Sequence, residues 1–418
     1  MEIEAVDFYY LSMPEVLDVG DGSQDALLVR VQAGEHVGWG ECEASPLVSI
    51  ASFVCPMSHS ACKPLRDSVL GQRLDGPDDI RRIGDLVRAN SLDLLQADHT
   101  LSGIDIACWD LLGRKLGAPV YRLLGDRYAT PKLAYASQLF GDTPQATLEQ
   151  ARRVRAQGYR AAKFGWGPYG RGTVADDAAQ VFAAREGLGD DGVLLIDAGT
   201  VWLDAVETAV QRLEALNACR VTWLEEPFVS GALGAYRALA ARAGTVRMAA
   251  GEGCHNVHMA EQLLEYADLG YIQIDAGRIG GISVARRVAE MAQQRGVNYV
   301  NHTFTSHLAL SASLQAYALS DADAICEYPV EPRQLALDIS NEHLLPDAEG
   351  RIQLPDAPGL GITPNLDVLA PYLVDVEIRV QGKVLYRTPP LRGRVKGTTG
   401  SLNGTGGFHG QICSLRFK

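Results

Sequence analysis

Residues 192–226 read GVLLIDAGTVWLDAVETAVQRLEALNACRVTWLEE. A short apolar run ends on one acid, Asp197; a helical segment, DAVETAVQRLEALNA, follows; a second run ends on a pair of acids, Glu225 and Glu226. Strand, helix and strand in that order make one βα unit with the next strand attached, the signature of a parallel sheet. The same pattern runs outward in both directions from residue 132 on. Strand candidates are KLAYAS, YRAAKF, GVLLIDA, RVTWLEE, TVRMAAG, GYIQID, VNYVNH and AICEY, with helical segments such as TLEQARRVRAQG and ISVARRVAEMAQQRG between them. These repeated units predict an α/β fold, a (β/α)8 barrel. An open doubly wound sheet would usually carry a phosphate-binding glycine fingerprint at its first βα turn, and none is found.

The flanks read differently. Residues 1–126 predict an N-terminal α+β capping or lid domain: strands at IEAVDFYYL and ALLVRVQAG, a polar turn, HVGWGECE, then helices from DDIRRIGDLVRAN and LSGIDIACWDLLGRKLG, the second stopping at Gly117 and Pro119. SMPEVLDVGDGSQ and ASPLVSIASFVCPMSHSACKP are loops on composition, long enough to serve as lids. The barrel takes residues 127–330. Residues 331–390, with PDAPGLGI and the strand-like VDVEIRVQG, are expected to return to the capping domain, and 391–418, glycine-rich and without an acidic residue, to form a flexible tail with no part in the active site.

At 418 residues the chain can bury a large core, and 47% hydrophobic with 21% charged residues argues against disorder. Acids outnumber bases 51 to 38, for a formal charge of -13, which excludes a nucleic-acid backbone as partner. The start, MEIEAVDFYY, has no signal-peptide character, and no apolar run is long enough to span a bilayer. Eight cysteines, scattered from Cys42 to Cys413 without a CxxC pair, point to reduced thiols and a cytoplasmic location.

A barrel of this kind builds its active site at the C-terminal ends of its strands. Those ends are Lys163, Asp197, Glu225 with Glu226, Glu252, Asp275, His302 and Glu327, recurring from Asp197 onward at steps of roughly 23 to 28 residues, one βα unit each. Asp197, Glu225 and Glu252 on adjacent strands offer a hard oxygen cage suited to Mg2+. His255 and His258 fall beyond the strand, in a loop and a helix, and read as ordinary surface histidines; His307 reads as a helix-end residue. Asp275 can orient His302 and strengthen it as a base. Glu327, among other carboxylates, is expected to stay protonated and to donate a hydrogen bond to a developing oxyanion.

These segments resemble the enolase superfamily, in its mandelate racemase/muconate lactonizing enzyme branch. The resemblance rests on LSGIDIACWDLLGRKLGAPVYRLLGD, LLIDAG, WLEEP, AAGEG, IQIDAGRIGG, NHTFTS and PGLGI, and covers nearly all of residues 1–378. It implies a TIM-type barrel with a modified last unit, capped by the N-terminal domain. It also implies Mg2+ on Asp197, Glu225 and Glu252 with Glu226 behind them, an Asp275/His302 acid/base dyad, and Glu327 against the carboxylate of a small-molecule substrate. The shared chemistry is removal of the proton alpha to a carboxylate to give an enediolate held on the metal, and the resemblance further implies a homo-oligomer.

One segment departs from the family. Its second barrel strand often ends Lys-x-Lys, the second lysine acting as a base on the face opposite the histidine; here the residues are Lys163-Phe164-Gly165. Lys163 matches the first lysine, beside the substrate carboxylate, with base duty as its secondary role. A racemase needs acid/base groups on both faces of the carbanion, whereas dehydration can use one. The expectation is therefore a Mg2+-dependent lyase that dehydrates an acid sugar to a 2-keto-3-deoxy acid. A cycloisomerase or epimerase/racemase, and a non-catalytic metal-binding barrel, stand as the alternatives.

Overall fold

Alternation along the strands decides what fills the barrel. Successive side chains of a strand face opposite sides, so residues two apart share a face. One buried cluster collects Tyr135, Ala161, Leu195, Trp223, Ala249 and Val300, one from each of six strands, and this is the interior of the barrel. Two residues further along the same strands come Ser137, Lys163, Asp197, Glu225 and His302. An apolar plug, with Tyr135 edge-on to Trp223 at 5.5 Å, thus forms the floor under a polar layer. The opposite strand faces carry the larger core shared with the surrounding helices.

The computed structural model describes residues 1–391; the tail read as 391–418 lies, from residue 392, outside the described residues. An antiparallel sheet comes first: β1 (Ala5–Ser12), β2 (Asp25–Ala33) and β3 (His36–Cys42). The barrel strands are β4 (Lys132–Leu139), β5 (Ala161–Gly165), β6 (Val193–Asp197), β7 (Trp223–Glu225), β8 (Arg247–Ala250), β9 (Tyr271–Ile274), β10 (Asn298–Asn301) and β11 (Ile325–Pro329). They pair in parallel from β4 to β10, and β11 pairs with β4. The remaining junction, β10 to β11, carries no ladder among the described residues. The Asn301 side chain spans it, accepting from the Glu327 N–H at 3.1 Å and donating to the Glu327 carbonyl at 3.4 Å. β12 (Arg351–Ile352) adds to β4, and β13 (Glu377–Val380) with β14 (Lys383–Arg387) forms a hairpin beside β1, where Val374 donates to the Tyr10 carbonyl. No helix among the described residues is long and apolar enough to cross a membrane.

Three local readings are corrected. HVGWGECE is strand, not turn: its glycines are there because the helix Ala97–Leu116 lies directly on β3, and a Cβ at Gly38 would collide with the Ala107 carbonyl, one at Gly40 with that of Gly103. Part of the second loop, Pro46–Val54, is a helix that buries Ile50, Phe53 and Val54. The single helix expected over DAVETAVQRLEALNA is two short ones, Val206–Val210 and Leu213–Ala218.

The long helix Ala97–Leu116 also joins cap to barrel. Asp105 accepts from the Ser283 N–H at 3.1 Å and the Ser283 hydroxyl at 2.5 Å, so a residue of the cap serves as N-cap to the barrel helix Ile282–Arg295, which has no side-chain cap of its own. Asp110, fully buried, takes N–H groups from Trp39 and Leu360 and the Arg114 guanidinium, tying three distant segments together.

At the N-terminal end of β4, Lys132 is buried with no carboxylate among the described residues hydrogen-bonded to it. Its ammonium donates to the carbonyls of Thr130 and Ala318, each at 3.1 Å, and lies 4.6 Å from the centre of the Tyr317 ring. Burial pulls its pKa down to about 8. Between that value and the ordinary lysine value the unfolded chain holds the proton that the folded chain has released, so folding stability rises with pH across this window. The wild type is expected to gain about 2 to 3 kcal/mol on Lys132→Met between pH 7 and pH 10, at 1.36 kcal/mol per pH unit. Urea unfolding of both proteins at the two pH values checks it, and a constant difference would contradict the assignment.

Candidate active site

Register places the polar layer. Gly165 on β5 stands level with Asp197 on β6, and Asp197 with Glu225 on β7; Glu252 follows β8, Asp275 follows β9, His302 follows β10 and Glu327 lies within β11. All seven sequence-selected residues other than Glu226 therefore meet over the apolar plug, and Glu226, also buried, sits just behind with one carboxylate oxygen unpartnered. His255 and His258 are exposed and separate from this layer. His307 is the first residue of its helix; its Nδ1 accepts from the Leu344 N–H, and its ring stacks on His343.

Lys163 is the hub of one half. Its ammonium lies 2.6 Å from Glu225 Oε1, 2.8 Å from Glu327 Oε1 and 3.7 Å from Asp197 Oδ2. Burial works against this charge, but Glu225 and Glu327 outweigh it and hold the lysine pKa well above its ordinary value. Lys163 thus stands as a cation ringed by carboxylates. Glu327 is its second close partner. Its Oε1 accepts from the Ser137 hydroxyl at 2.8 Å as well as facing Lys163, and its Oε2 accepts from the Thr303 N–H at 2.8 Å. Burial opposes ionisation, yet Lys163 and His302 override it and bring the pKa below the usual carboxylate range. Both Glu327 oxygens accept hydrogen bonds in this arrangement.

The other half is built on His302. Its Nδ1 stands 2.8 Å from Asp275 Oδ2 and its Nε2 3.2 Å from Glu252 Oε2. Burial disfavours the imidazolium, but Glu252, Glu327 and Asp275 together raise its pKa well above the ordinary value. Asp275 is oriented in turn by the Gly277 N–H on its Oδ1 at 2.7 Å.

One ammonium cannot neutralise this many buried acids. Burial, opposed by Lys163 and reinforced by Glu252, pushes Asp197 up to about 6; burial, opposed by Lys163 and reinforced by Asp197 and Glu327, pushes Glu225 up to about 8. Glu226 rises well above the ordinary range through burial and its neighbours Glu252 and Asp197. An all-oxygen donor set at the ends of three neighbouring strands, Asp197 and Glu225 buried and Glu252 partly so, fits a hard divalent cation such as Mg2+. In the arrangement described, no three His, Cys, Asp or Glu side chains among the described residues are drawn in around one point; the carboxylates lean toward Lys163 and His302 instead.

Comparison with known proteins bears on this geometry. Residues 12–125 match the mandelate racemase / muconate lactonizing enzyme N-terminal domain, and residues 146–368 match the enolase C-terminal domain-like family. The chain belongs to the mandelate racemase / muconate lactonizing enzyme family. Within that family it is 32% identical over 288 residues to a D-galactarolactone cycloisomerase of Agrobacterium fabrum, covering 65% of this chain and 73% of that one. A crystal structure of a predicted mandelate racemase from Rhodobacter sphaeroides is 63% identical, with a TM-score of 0.89 over 93% of this chain and 99% of the other. A racemase from Streptomyces coelicolor, 24% identical with a TM-score of 0.75 over 89% of this chain and 100% of its own, was solved with bound magnesium. Dehydratases, cycloisomerases and a racemase all occur among the relatives of this mandelate racemase / muconate lactonizing enzyme family member. It is an enzyme by that kinship.

At the departure from Lys-x-Lys the structure supplies the reason. A Cβ on Gly165 would stand 2.7 Å from Asp197 Cβ and 2.8 Å from Asp197 Oδ2, so Asp197 already fills the place of a side chain there. Trp166 does not fill it: its ring packs against Gly199 and Gly20, between a barrel loop and a loop of the cap. Sequence reading missed Ser137, Glu41, Glu43 and Arg278. Glu41, buried on β3, accepts from the Ser306 hydroxyl. Arg278 carried a readable signal, since it lies three residues past Asp275 in IDAGR, at the rim of the same layer.

Proposed function

We propose that this enzyme is a Mg2+-dependent lyase that dehydrates a polyhydroxy carboxylate, an acid sugar, to a 2-keto-3-deoxy acid. The observation that carries it is one-sidedness. The His302/Asp275 pair stands on one side of the layer, while the position on β5 where a second base would project is glycine, closed off by Asp197. Racemisation needs a proton donor and an acceptor on opposite faces; elimination needs a single group that first takes and then gives a proton.

Asp197, Glu225 and Glu252 would hold the Mg2+, which when bound supplies positive charge to a substrate carboxylate and so acidifies the adjacent C–H. Lys163, fixed as an ammonium by Glu225 and Glu327, binds the same carboxylate electrostatically. His302, kept in its tautomer by Asp275, takes the alpha proton at Nε2. The C–H electron pair becomes the Cα=Cβ bond as the Cβ–O bond breaks, and the imidazolium returns its proton to the departing hydroxyl, which leaves as water. The enol then tautomerises to the 2-keto acid. For Nε2 to accept, the Glu252 carboxylate facing it has to be engaged elsewhere, as a metal ligand is. A general base contributes about 10^2 to 10^4 in rate against total accelerations of about 10^6 or more, so carboxylate binding must supply the remainder.

A cycloisomerase is the second reading, favoured by the 32% identity to the Agrobacterium enzyme. The two differ in mass balance: dehydration removes one water, while beta-elimination of a ring oxygen only opens the ring. A panel of acid sugars and their lactones with Mg2+, assayed for keto acid with semicarbazide and by mass spectrometry, is expected to give a product lighter than its substrate by one water. An isobaric product supports the cycloisomerase instead. Substrate epimerised with solvent deuterium at Cα, with no keto acid, contradicts both.

A further inference from the structure

We propose that Glu43 and Arg278 form a positioning link through which the capping domain fixes the two turns that carry Glu252 and Asp275. The link rests on the reading of Glu252 as a metal ligand. Glu43 is the residue after β3, and its main chain and side chain grip different parts of the barrel rim. Its N–H donates to the Gly277 carbonyl at 3.1 Å. Gly277 in turn donates to Asp275, which orients His302. Its side-chain Oε2 accepts from Arg278 Nε at 2.9 Å and Nη2 at 2.5 Å, while Arg278 Nη1 donates to the main-chain carbonyl of Glu252 at 2.7 Å. From the other side, His99 of the long cap helix hydrogen-bonds the Glu43 carbonyl. One cap residue is thus three contacts from the His302 ring and two from the Glu252 backbone.

The chemistry suits alignment better than cohesion. Side-chain exposure is 9% for Glu43 and 16% for Arg278, so both charges are largely desolvated, and such a pair adds little net stability over an apolar replacement. What it does provide is direction. A planar guanidinium holds two acceptors at a fixed angle, the Glu43 carboxylate and the Glu252 carbonyl, and so sets the pitch of the Glu252 turn relative to the cap. A lysine ammonium cannot reproduce that fork.

The test uses the full chain stripped of metal with chelator and titrated calorimetrically with Mn2+, an oxygen-liganded stand-in for Mg2+. Arg278→Lys and Glu43→Gln are each expected to weaken Mn2+ binding about 10- to 100-fold, as loss of a partner behind a ligand does, and to lower the Tm because a buried charge loses its partner. The double variant should be no weaker than the worse single one, because both remove the same link. Asp126→Asn, which breaks the Asp126–Arg286 pair away from the site, is the control: lower Tm, unchanged Mn2+ affinity. Should Arg278→Lys fail to fold, the isosteric Glu43→Gln still reports. Mn2+ affinities within about twofold of wild type in folded variants overturn the link alone. A wild type that takes up no Mn2+ overturns the metal reading and the link with it.

Discussion

His302→Asn is expected to lower kcat on any accepted acid sugar by about 10^2- to 10^4-fold while leaving the Tm close to wild type. The amide can keep a donor on Asp275 Oδ2, where the ring now stands at 2.8 Å, so the buried carboxylate is not stranded. It has nothing basic to turn toward a substrate C–H. Two measurements separate base loss from mere disturbance. Exchange of the substrate alpha proton with D2O should disappear along with turnover, because among the described residues of the layer the other nitrogen, Lys163, is engaged by Glu225 and Glu327. Mn2+ affinity should fall far less than turnover, since the carboxylates on β6 and β7 are untouched. Full activity in His302→Asn, or persistent alpha exchange, would remove His302 from the mechanism.

Gly165→Ala is expected to be nearly as damaging although it adds only one methyl group. That methyl would stand 2.7 Å from Asp197 Cβ and 2.8 Å from Oδ2, well inside van der Waals contact. The two residues sit level on paired strands, both buried, so neither backbone can yield without breaking the β5–β6 ladder. Relief therefore displaces the Asp197 Cβ together with its carboxylate, at the expense of the local strand register. Divalent-ion affinity should drop about 10- to 100-fold and kcat with it. Gly165→Lys, which restores the common Lys-x-Lys pattern on paper, should behave worse and should not confer racemase activity. An alanine variant with wild-type metal affinity would show that the site has room where none is described. The same result would weaken the case for one-sided chemistry.

The barrel was legible because its code is local: strand runs end on ionisable residues at the spacing of one βα unit, and the period-two alternation carries those residues into the same layer. The capping strand β3 was not. Gly38 and Gly40 look like turn residues until a helix seventy residues away in the chain is laid against them, and that contact cannot be inferred from HVGWGEC. Pro46–Val54 was hidden for a related reason, as a short helix inside a stretch whose composition says loop. At the site, positions were readable and protonation was not. Lys163 and Glu327 each look ambiguous alone; set 2.8 Å apart, with Ser137 and Thr303 donating to the same carboxylate, they become one paired unit. Glu43 and Arg278 belong to different domains, and only the docked cap reveals them as partners.

The bridge made by Asn301 has a mechanical consequence. Among the described residues seven of the strand junctions are backbone ladders, while the eighth is closed by side chains, the Asn301 amide on the Glu327 backbone and the Glu327 carboxylate on the Thr303 N–H. The residues on either side of that junction are His302 and Glu327, the proposed proton carrier and the anchor of Lys163. In the proposed dehydration their spacing is therefore set by side-chain contacts, whereas Asp197 and Glu225 are held in register by the β6–β7 ladder.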